Sequence, residues 1–410
     1  MTQKTVCVIG LGYIGLPTAA LLANSGFRVL GCDKDPAVVA TINEGRIHIV
    51  EPDLDHAVGK AVDSGLLTAS TAPQPADVFV ICVPTPFREG GEIPEPNLDH
   101  VMAATRSVAP HIRPGALVIL ESTSPVGTTR AMADELAACG VDLSSVHVAY
   151  CPERVLPGRI LIELVENDRI VGGLTPEATA RGIGFYRSFV KGEVLSTDAA
   201  TAEMCKLTEN SFRDVNIAFA NELSLLCHKA GVDVWDVIGL SNRHPRVNIL
   251  QPGVGVGGHC IAVDPWFLVA GNPADARIIR TAREVNDRKT LWVVDRIVEA
   301  AEAFRARHGR EPVVACLGLA FKPDIDDLRE SPAFAAFRRL EARGLRVIAV
   351  EPNLSEIQGM ALRALEDALT EADIICLLVN HRQFLSIEAG EELSGKTLLN
   401  FCAPKRRQPV

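Results

Sequence analysis

The sequence predicts an α/β protein with two Rossmann-like, doubly wound sheets joined by a long central helix. Near its start, the apolar run TVCVIG leads into the glycine pattern GLGYIG. A second apolar run with a glycine turn, PVVACLGLAFKPD, begins at residue 312. Between them, residues 201–231 contain no proline and no internal glycine, and their apolar residues recur at helical spacing.

These segments predict three domains in a chain of 410 residues. The first is a dinucleotide-binding Rossmann domain, residues 1–200. A central helical region, residues 201–300, is expected to carry a reactive cysteine loop and to pack against a second subunit. A Rossmann-like domain, residues 301–410, completes the chain.

Composition excludes several classes of function. The formal charge of −10 disfavours nucleic-acid binding, which needs an excess of basic side chains. No apolar run reaches the roughly 18 residues of a membrane span, and the chain enters a strand at once, so neither a membrane partner nor a signal peptide is expected. Eleven scattered cysteines without a CxxC pair fit the cytoplasm. No metal site is predicted.

The first glycine pattern predicts a dinucleotide site, because it lies between a strand and a helix and an acid follows about 20 residues later. Gly10 is expected to form the tight turn and Gly12 to admit the pyrophosphate. Gly15 should let the helix pack closely on the strand. Asp33 ends the second strand and should accept hydrogen bonds from the adenosine ribose. It favours NAD over NADP, although Lys34 is adjacent.

Three further strands of the first domain end in polar side chains. They read ADVFVICVPTP, ALVILESTSPVG and HVAYCPERVLPG, and they place Thr85, Thr123 and Glu153 just beyond their carboxyl ends. Ligands bind at that edge of an open parallel sheet. The sequence therefore predicts that the three residues share one crevice.

The stretch GVGVGGHCIAVDP surrounds Cys260 with glycines. Glycines leave room for another backbone or a ligand to approach closely, and the loop is expected to let a ligand reach the thiol. On the central helix, Lys206 and Asn210 are four residues apart and share a face, and Arg213 lies near the same stripe. From the residues alone, an ordinary solvated face stays open as an alternative for this stripe.

Seven motifs in the same order resemble the UDP-glucose/GDP-mannose dehydrogenase family, over the chain from its first strand to about residue 400. They are VIGLGYIGLPTA, VPTP, ESTSPVG, YCPERVLPG, AEMCKLTENSFRDVNIAFANE, GVGVGGHCIAVDP and GLAFKPDIDDLRESP. The resemblance implies an NAD-dependent, four-electron oxidation of the C6 alcohol of a UDP-sugar to a carboxylate, in polysaccharide biosynthesis. It also assigns UDP-sugar binding to residues 301–410.

Two further segments and one residue narrow the choice of UDP-sugar substrate. GRIHIVEPDL (45–54), RHPRVNILQPG (243–253) and His259 resemble the branch that acts on UDP-N-acetyl-D-mannosamine. UDP-glucose and UDP-N-acetylglucosamine stay open as alternative substrates. An inactive nucleotide-sugar-binding protein is the remote alternative.

The resemblance implies a covalent mechanism. Cys260 would add to the C6 aldehyde as a thiolate, and the resulting thiohemiacetal would be oxidised to a thioester that water then cleaves. An ordinary cysteine has a pKa of ~8.5, and we expect the cation of Lys206 to lower that of Cys260.

Site residues are assigned by matching motif. The expected catalytic set is Cys260, Lys206, Asn210, Asp264, Glu153 and Thr123. The expected NAD-binding set is Gly10, Gly12, Tyr13, Ile14, Gly15, Asp33, Thr85, Thr123 and Arg329. The expected substrate-binding set is Arg154, Val155, Leu156, Lys206, Asn210, Arg213, His244, Arg246, Gly257, Phe321 and Lys322.

The resemblance also bears on the oligomeric state, and at one position this sequence differs from the family. A homodimer or higher homo-oligomer with shared sites is expected, in which His244 and Arg246 reach the neighbouring subunit's site. At the end of the last strand the family has Asp-x-Lys or Asp-x-Arg, but here Asn400 and Cys402 occupy those places. Lys405 is the nearest candidate replacement for the missing basic residue.

Overall fold

The computed structural model describes residues 4–88, 90–91, 93–258, 260–385, 387, 393 and 395–402. The chain forms two compact units, residues 1–209 and 210–410, and the boundary falls within one long helix. Among the described residues, no helix is both long and apolar enough to cross a membrane.

The first unit is built on one large sheet. Its strands and a small hairpin are β1 (Thr5–Ile9), β2 (Arg28–Cys32), β3 (Leu67–Ser70), β4 (Val78–Ile81), β5 (Phe87–Arg88), β6 (Glu95–Pro96), β7 (Leu117–Leu120), β8 (His147–Tyr150), β9 (Arg169–Gly173) and β10 (Val194–Asp198). Eight of them form the sheet in the order β10-β9-β8-β7-β4-β1-β2-β3, while β5 and β6 pair with each other. Neighbours in the sheet run parallel except β8 and β9, which are antiparallel.

Helices pack on both faces of this sheet. They are α1 (Gly15–Asn24), α2 (Pro36–Asn43), α3 (Leu54–Asp63), α4 (Asp99–Val108), α5 (Thr128–Ala138), α6 (Ile160–Glu166) and α7 (Pro176–Tyr186). Alternate residues of β1 enter two different cores: Val6 and Val8 pack in one, Cys7 and Ile9 in the other. Period-two alternation between two apolar cores is the signature of a sheet covered on both sides, so the predicted doubly wound architecture is confirmed here.

The second unit repeats the design on a smaller scale. Its strands are β11 (Val313–Leu317), β12 (Arg346–Val350), β13 (Glu356–Ile357), β14 (Met360–Ala361), β15 (Ile374–Leu377) and β16 (Thr397–Asn400). Four of them form an all-parallel sheet in the order β12-β11-β15-β16. Its helices other than the long helix are α9 (Val234–Ser241), α10 (Asp264–Gly271), α11 (Arg277–His308), α12 (Pro332–Ala342) and α13 (Leu365–Glu371). Apolar cores lie on both faces of this sheet as well.

The predicted central helix is present as α8 (Ala199–Ala230), within two residues of the predicted bounds. The equally long α11 was not predicted. Within the second unit, buried polar side chains join these two helices. Arg283 donates to Asp214 at 2.7 Å, and Asn221 donates to Asn286 at 2.8 Å. Breaking such a buried ion pair leaves an uncompensated charge, so these contacts fix the two helices side by side.

Lys289 of α11 is the unusual member of this contact, because its ammonium is buried. Its Nζ donates to Ser224 Oγ at 2.6 Å and lies 3.9 Å from the centre of the Trp292 ring. Burial lowers the pKa of Lys289 to about 7. The folded protein therefore carries a lysine that releases its proton near neutral pH.

We expect replacing Lys289 to change how stability depends on pH. The lysine keeps its proton up to a pKa of ~10.4 in the unfolded chain but only to about 7 in the folded one. Between these values the unfolded state binds more protons, so wild-type stability rises with pH by at most ~1.4 kcal/mol per unit. Lys289→Met lacks this contribution, so the Tm of the variant minus that of the wild type should fall from pH 7 to pH 9. A constant difference would contradict the lowered pKa.

Candidate active site

The three glycines after β1 have the environments that the motif predicts. Gly10 has φ +88°, and a Cβ there would lie 2.8 Å from the carbonyl oxygen of Cys82. A Cβ on Gly15 would lie 1.7 Å from the carbonyl oxygen of Gly10, so α1 can start against the turn only without a side chain. At Gly12 a Cβ would meet nothing within 4 Å. Open space at this glycine, before the N-terminus of α1, is what a pyrophosphate needs.

Asp33 lies directly after β2, beside the glycine turn. Its Oδ2 accepts from the backbone N–H of Leu11 at 2.9 Å, and its Oδ1 accepts from the N–H of Asp35 at 3.0 Å. The carboxylate is thus held at the position where a dinucleotide fold binds the adenosine ribose. Tyr13 and Ile14, at the start of α1, are half-buried next to this turn.

The loops after β4 and β7 are joined, as expected for one crevice. Thr85 Oγ1 donates to the carbonyl oxygen of Thr123 at 2.7 Å, and Ser122 Oγ donates to that of Val83 at 2.7 Å. Both Thr85 and Thr123 are half-buried. The structure therefore brings these two predicted residues together at the carboxyl edge of the sheet.

Lys206 and Glu153 form the buried part of the candidate site in the first unit. Lys206 Nζ donates to the backbone oxygen of Glu153 at 2.6 Å. Burial raises the pKa of Glu153, although the charges of Lys206 and Arg169 oppose the shift. Glu153 Oε1 is buried and has no hydrogen-bond partner among the described residues. A buried carboxyl group with a raised pKa and an unused oxygen is a stronger proton acceptor than an exposed one.

The segment after Glu153 is held at both ends. Arg154 forms an ion pair with Glu209 at 2.8 Å. At the other end, a carboxylate that the sequence analysis missed, Glu51, accepts from the N–H groups of Gly158 and Ile160 at 2.8 and 2.7 Å.

Val155 and Leu156 lie between these two anchors. Val155 is half-buried and Leu156 is 42% exposed. The arrangement leaves side chains available at the middle of a fixed loop.

A second missed carboxylate, Glu203, holds the loop that contains Thr123. Its oxygens accept from the N–H groups of Gly127 and Thr129 and from the Thr129 hydroxyl, at 2.6–2.7 Å. Glu203 is fully buried on α8. The only signal in the sequence was an acid among the apolar positions of a long helix.

In the second unit, Cys260 lies in the turn that starts α10. Its carbonyl oxygen accepts from the N–H of Asp264 at 2.8 Å, and the Cys260 side chain is half-buried. Asp264 is buried, and its Oδ2 accepts from Asn210 Nδ2 at 2.5 Å. Two predicted catalytic residues are therefore in direct contact, next to the turn that carries the thiol.

At three of the glycines before Cys260, other parts of the protein occupy the space that a side chain would need. A Cβ on Gly257 would lie 2.5 Å from the carbonyl oxygen of Glu330. On Gly258 it would lie 2.9 Å from the Phe321 ring, and on Gly255 it would lie 2.6 Å from Thr290 Oγ1. Gly257 and Gly258 make room for the protein's own Phe321, and Gly255 makes room for Thr290 of α11.

A cavity of about 490 Å³ lies beyond the carboxyl ends of β11, β15 and β16. We call it the C-terminal cavity. The residues that line it include Phe321, Asp324, Asn380, Arg382 and Cys402. Cys402, at the position where the family has a basic residue, is therefore part of its wall. Lys322 is exposed next to Phe321.

Other predicted residues are exposed in the second unit. Arg213, His244 and Arg246 are exposed, and the N–H of Arg246 donates to His244 Nδ1 at 3.3 Å. Arg329 forms an ion pair with Asp327 at 2.6 Å.

Two residues named in the sequence analysis, His259 and Lys405, lie outside the described residues.

Comparison with known protein families covers most of the chain. Residues 4–190 match the NAD binding domain of the UDP-glucose/GDP-mannose dehydrogenase family, residues 200–288 its central domain and residues 315–401 its UDP binding domain. The chain belongs to this family. The recognition from motifs, the dehydrogenase class and NAD as the cofactor are thereby confirmed.

Relatives within the family match over nearly their full length. The chain is 55% identical over 406 residues to the UDP-N-acetyl-D-mannosamine dehydrogenase of Yersinia pestis, covering 95% of this chain and 96% of the relative. It is also 55% identical over 411 residues to the NDP-N-acetyl-D-galactosaminuronic acid dehydrogenase of Ralstonia nicotianae, covering 97% and 95%. Among solved structures, the UDP-D-ManNAc dehydrogenase of Pyrococcus horikoshii is 39% identical with a TM-score of 0.89, covering 99% and 97%.

The different environments of Gly12 and Gly15 predict different effects of the same substitution. Gly12→Ala places its methyl group in open space, so we expect an unchanged Tm but an NAD⁺ affinity at least about tenfold lower. Gly15→Ala, the matched control, should fail to fold or lose most of its thermal stability, because its Cβ would lie only 1.7 Å from the carbonyl oxygen of Gly10. Calorimetric titration with NAD⁺ and thermal unfolding would measure both. Undiminished NAD⁺ binding by folded Gly12→Ala would show that the pyrophosphate does not approach this turn.

Proposed function

We propose that this protein is a UDP-N-acetyl-D-mannosamine 6-dehydrogenase. It oxidises the C6 alcohol of its substrate to a carboxylate and consumes two NAD⁺ and one water, with release of two NADH and three protons. The observation that carries the proposal is the similarity to relatives of that name in several bacteria, to which the chain is 52–55% identical over nearly its full length. The contact between Asn210 and Asp264 beside the Cys260 turn supports the covalent chemistry.

The cysteine divides the oxidation into two hydride-transfer steps. NAD⁺, when bound, supplies the acceptor for each hydride. In our proposal the Cys260 sulfur adds to the C6 aldehyde after the first oxidation and holds the carbon as a thiohemiacetal. The second oxidation gives a thioester, and water then cleaves the C–S bond to release the carboxylate and the thiol.

Lys206 and Asn210 stabilise the oxyanions formed at C6. Lys206 has three N–H donors and uses one on the Glu153 carbonyl oxygen, so two are left for an oxyanion. Asn210 gives one N–H to Asp264 and keeps a second one. Asp264 positions the Asn210 amide through this bond, so its orientation is set before substrate binds.

Glu153 is the proposed base for thioester hydrolysis, with Thr123 helping to position the water. Its raised pKa makes the carboxylate a stronger base than an exposed glutamate, and its Oε1 is available for a water molecule. Protonation would weaken it as a base, so the hydrolysis step should slow as the pH falls through the raised pKa of Glu153.

For the ligand contacts we propose the residue sets that the sequence predicts. For NAD we propose Gly10, Gly12, Tyr13, Ile14, Gly15, Asp33, Thr85, Thr123 and Arg329. For the UDP-sugar we propose Arg154, Val155, Leu156, Lys206, Asn210, Arg213, Gly257, Phe321 and Lys322, together with His244 and Arg246. The UDP part fits the match of residues 315–401 to a UDP binding domain and the C-terminal cavity, which these residues line in large part.

A second sugar has a specific observation in its favour. The relative in Ralstonia nicotianae, named an NDP-N-acetyl-D-galactosaminuronic acid dehydrogenase, is as similar to this chain as the relative in Yersinia pestis. A nucleotide-linked N-acetyl-D-galactosamine is therefore the second candidate substrate. The two sugars differ in hydroxyl and acetamido orientation, which a few polar side chains can distinguish.

We also propose a homodimer or larger homo-oligomer with shared sites. In the second unit, Phe212, Phe219 and Leu226 are 68%, 56% and 58% exposed, and they recur every seven residues on α8. Such a stripe lies on one face of a helix and is typical of a surface that another subunit covers. The exposed His244 and Arg246 would then serve the neighbouring site.

The domain division at residues 200 and 300 and a cytoplasmic location remain part of this proposal. The location is supported by the cysteines, which are eleven in number and show no disulfide-type spacing in the sequence.

We expect the wild type to release two NADH per UDP-N-acetyl-D-mannosamine and to prefer it over UDP-glucose, UDP-N-acetylglucosamine and UDP-N-acetylgalactosamine. Cys260→Ala should bind NAD⁺ and UDP but form no uronate, because it lacks the atom that holds the aldehyde. NADH absorbance and chromatography of the products would measure both. Preference for the galactosamine nucleotide would replace the first candidate by the second, and wild-type uronate formation by Cys260→Ala would exclude the covalent mechanism.

Glu153→Gln should accumulate the thioester, because hydrolysis loses its base. Intact-mass analysis after turnover should show a sugar-nucleotide adduct on the peptide that contains Cys260. The double variant Glu153→Gln, Cys260→Ala is the control and should carry no adduct. An adduct on Cys151 or Cys205 would mean that another thiol is the nucleophile.

Shared sites predict complementation between two inactive chains. Cys260→Ala and Arg246→Ala homodimers should both be impaired, whereas a mixed dimer has one site with both native residues. After random exchange of subunits, about a quarter of all sites should be restored. Absence of recovery, with exchange verified by native mass spectrometry of differently tagged chains, would indicate that each site is built from one chain.

A further inference from the structure

A buried hydrogen-bonded pair, outside every residue set assigned so far, lies under the loop that follows β11 in the second unit. Glu351 follows β12 and His381 follows β15, and these strands flank β11 on its two sides. His381 Nε2 and Glu351 Oε2 are 3.0 Å apart, and the side chains of both residues are fully buried. The pair therefore lies below the loop that leaves the end of β11.

The pair binds both ends of the segment Leu319–Asp324. Glu351 Oε2 accepts from the N–H groups of Leu319 and Ala320 at 2.8 and 3.0 Å. His381 Nδ1 accepts from the N–H of Asp324 at 2.9 Å. Since Nδ1 accepts a backbone proton, the imidazole carries its own proton on Nε2 and donates it to Glu351.

The surroundings keep the carboxylate ionised. Burial alone would raise the pKa of Glu351, but the hydrogen bonds from His381, Leu319 and Ala320 outweigh it and lower the pKa. The N–H and the Nδ2 of Asn353 also donate to Glu351 Oε1, each at 3.2 Å. The anion is thus an acceptor for several donors at once, which fixes its position.

The segment needs these anchors, because its backbone is strained at its far end. Asp324 has φ +61°, a left-handed conformation that costs free energy for an aspartate. Its Oδ1 accepts from the N–H of Arg382 at 2.9 Å, and its Oδ2 accepts from Arg382 Nε at 2.9 Å. Phe321 and Lys322 lie between the anchored ends, and Phe321 and Asp324 line the C-terminal cavity.

We propose that His381 and Glu351 are positioning residues for the UDP-sugar, which set its affinity by fixing the backbone of Leu319–Asp324. The inference rests on the proposed function, which assigns Phe321 and Lys322 to the substrate. Neither residue of the pair touches the reacting carbon. Their loss should therefore weaken binding equally in the ground and transition states, so that KM for the UDP-sugar rises while kcat changes little.

Two conservative substitutions separate the two hydrogen bonds of the imidazole. In His381→Asn, the amide oxygen can occupy the place of Nδ1 and still accept from Asp324. In His381→Gln, the amide nitrogen can occupy the place of Nε2 and still donate to Glu351, but the Asp324 N–H loses its acceptor. We expect the UDP-sugar KM and the Kd for UDP to rise about tenfold in His381→Gln and less than about threefold in His381→Asn.

A matched control removes the effect of general destabilisation. Phe337→Leu, at a fully buried position on α12, should lower Tm without changing either constant. The Kd for NAD⁺ should stay at the wild-type value in His381→Asn, His381→Gln and Phe337→Leu. Glu351→Gln keeps the size of the side chain but loses the charge, and it should raise the Kd for UDP like His381→Gln.

Titration with UDP and steady-state kinetics would decide between the outcomes. A wild type that binds UDP, with His381→Gln and Glu351→Gln that bind it equally well, would overturn the positioning role and leave the proposed function intact. A parallel loss of kcat, NAD⁺ affinity and Tm would also overturn it, in favour of a purely structural role. A wild type that binds no UDP would overturn the proposed function itself and this inference with it.

Discussion

Backbone N–H groups in loops beyond the ends of parallel strands have no ladder partner, and burying them unpaired is costly. This protein supplies side-chain carboxylates as acceptors. Glu51 holds the loop after Glu153, and Glu203 holds the loop after β7. In the second unit Glu351 holds the loop after β11. The candidate ligand-binding loops are thus fixed by buried acidic side chains before any ligand arrives, which is the preorganisation that binding and catalysis need.

The features that could be predicted from the sequence are those that the backbone conformation itself requires. The environments of Gly10, Gly12 and Gly15 agree with the expected ones, because a tight turn, an open approach and a close packing each demand a glycine at a fixed spacing; their contacts with NAD stay a prediction. The long helix α8 was found from periodicity. The equally long α11 could have been found in the same way, since residues 277–308 contain neither proline nor glycine.

The missed residues share a physical reason. Glu51 and Glu203 accept from N–H groups 74 to 109 residues away in the chain. Every residue type except proline offers that donor, so no pattern in the partner sequence announces the contact. The antiparallel pairing of β8 and β9 is equally invisible, because a strand's composition does not encode its direction. The glycines before Cys260 allowed two interpretations, because the same absence of a side chain admits a ligand or another part of the protein.

The burial of the thiols has a consequence for inhibitor chemistry. Desolvation raises the pKa of Cys7, Cys151 and Cys316 to about 12, so these sulfurs carry almost no thiolate at neutral pH. Cys260 is half-buried, and Cys139 is exposed. A weak electrophile carried by a nucleotide-like scaffold would therefore meet few competing nucleophiles within the same chain. Selectivity of a covalent ligand would be decided by the scaffold and by these few accessible sulfurs, and not by the total of eleven.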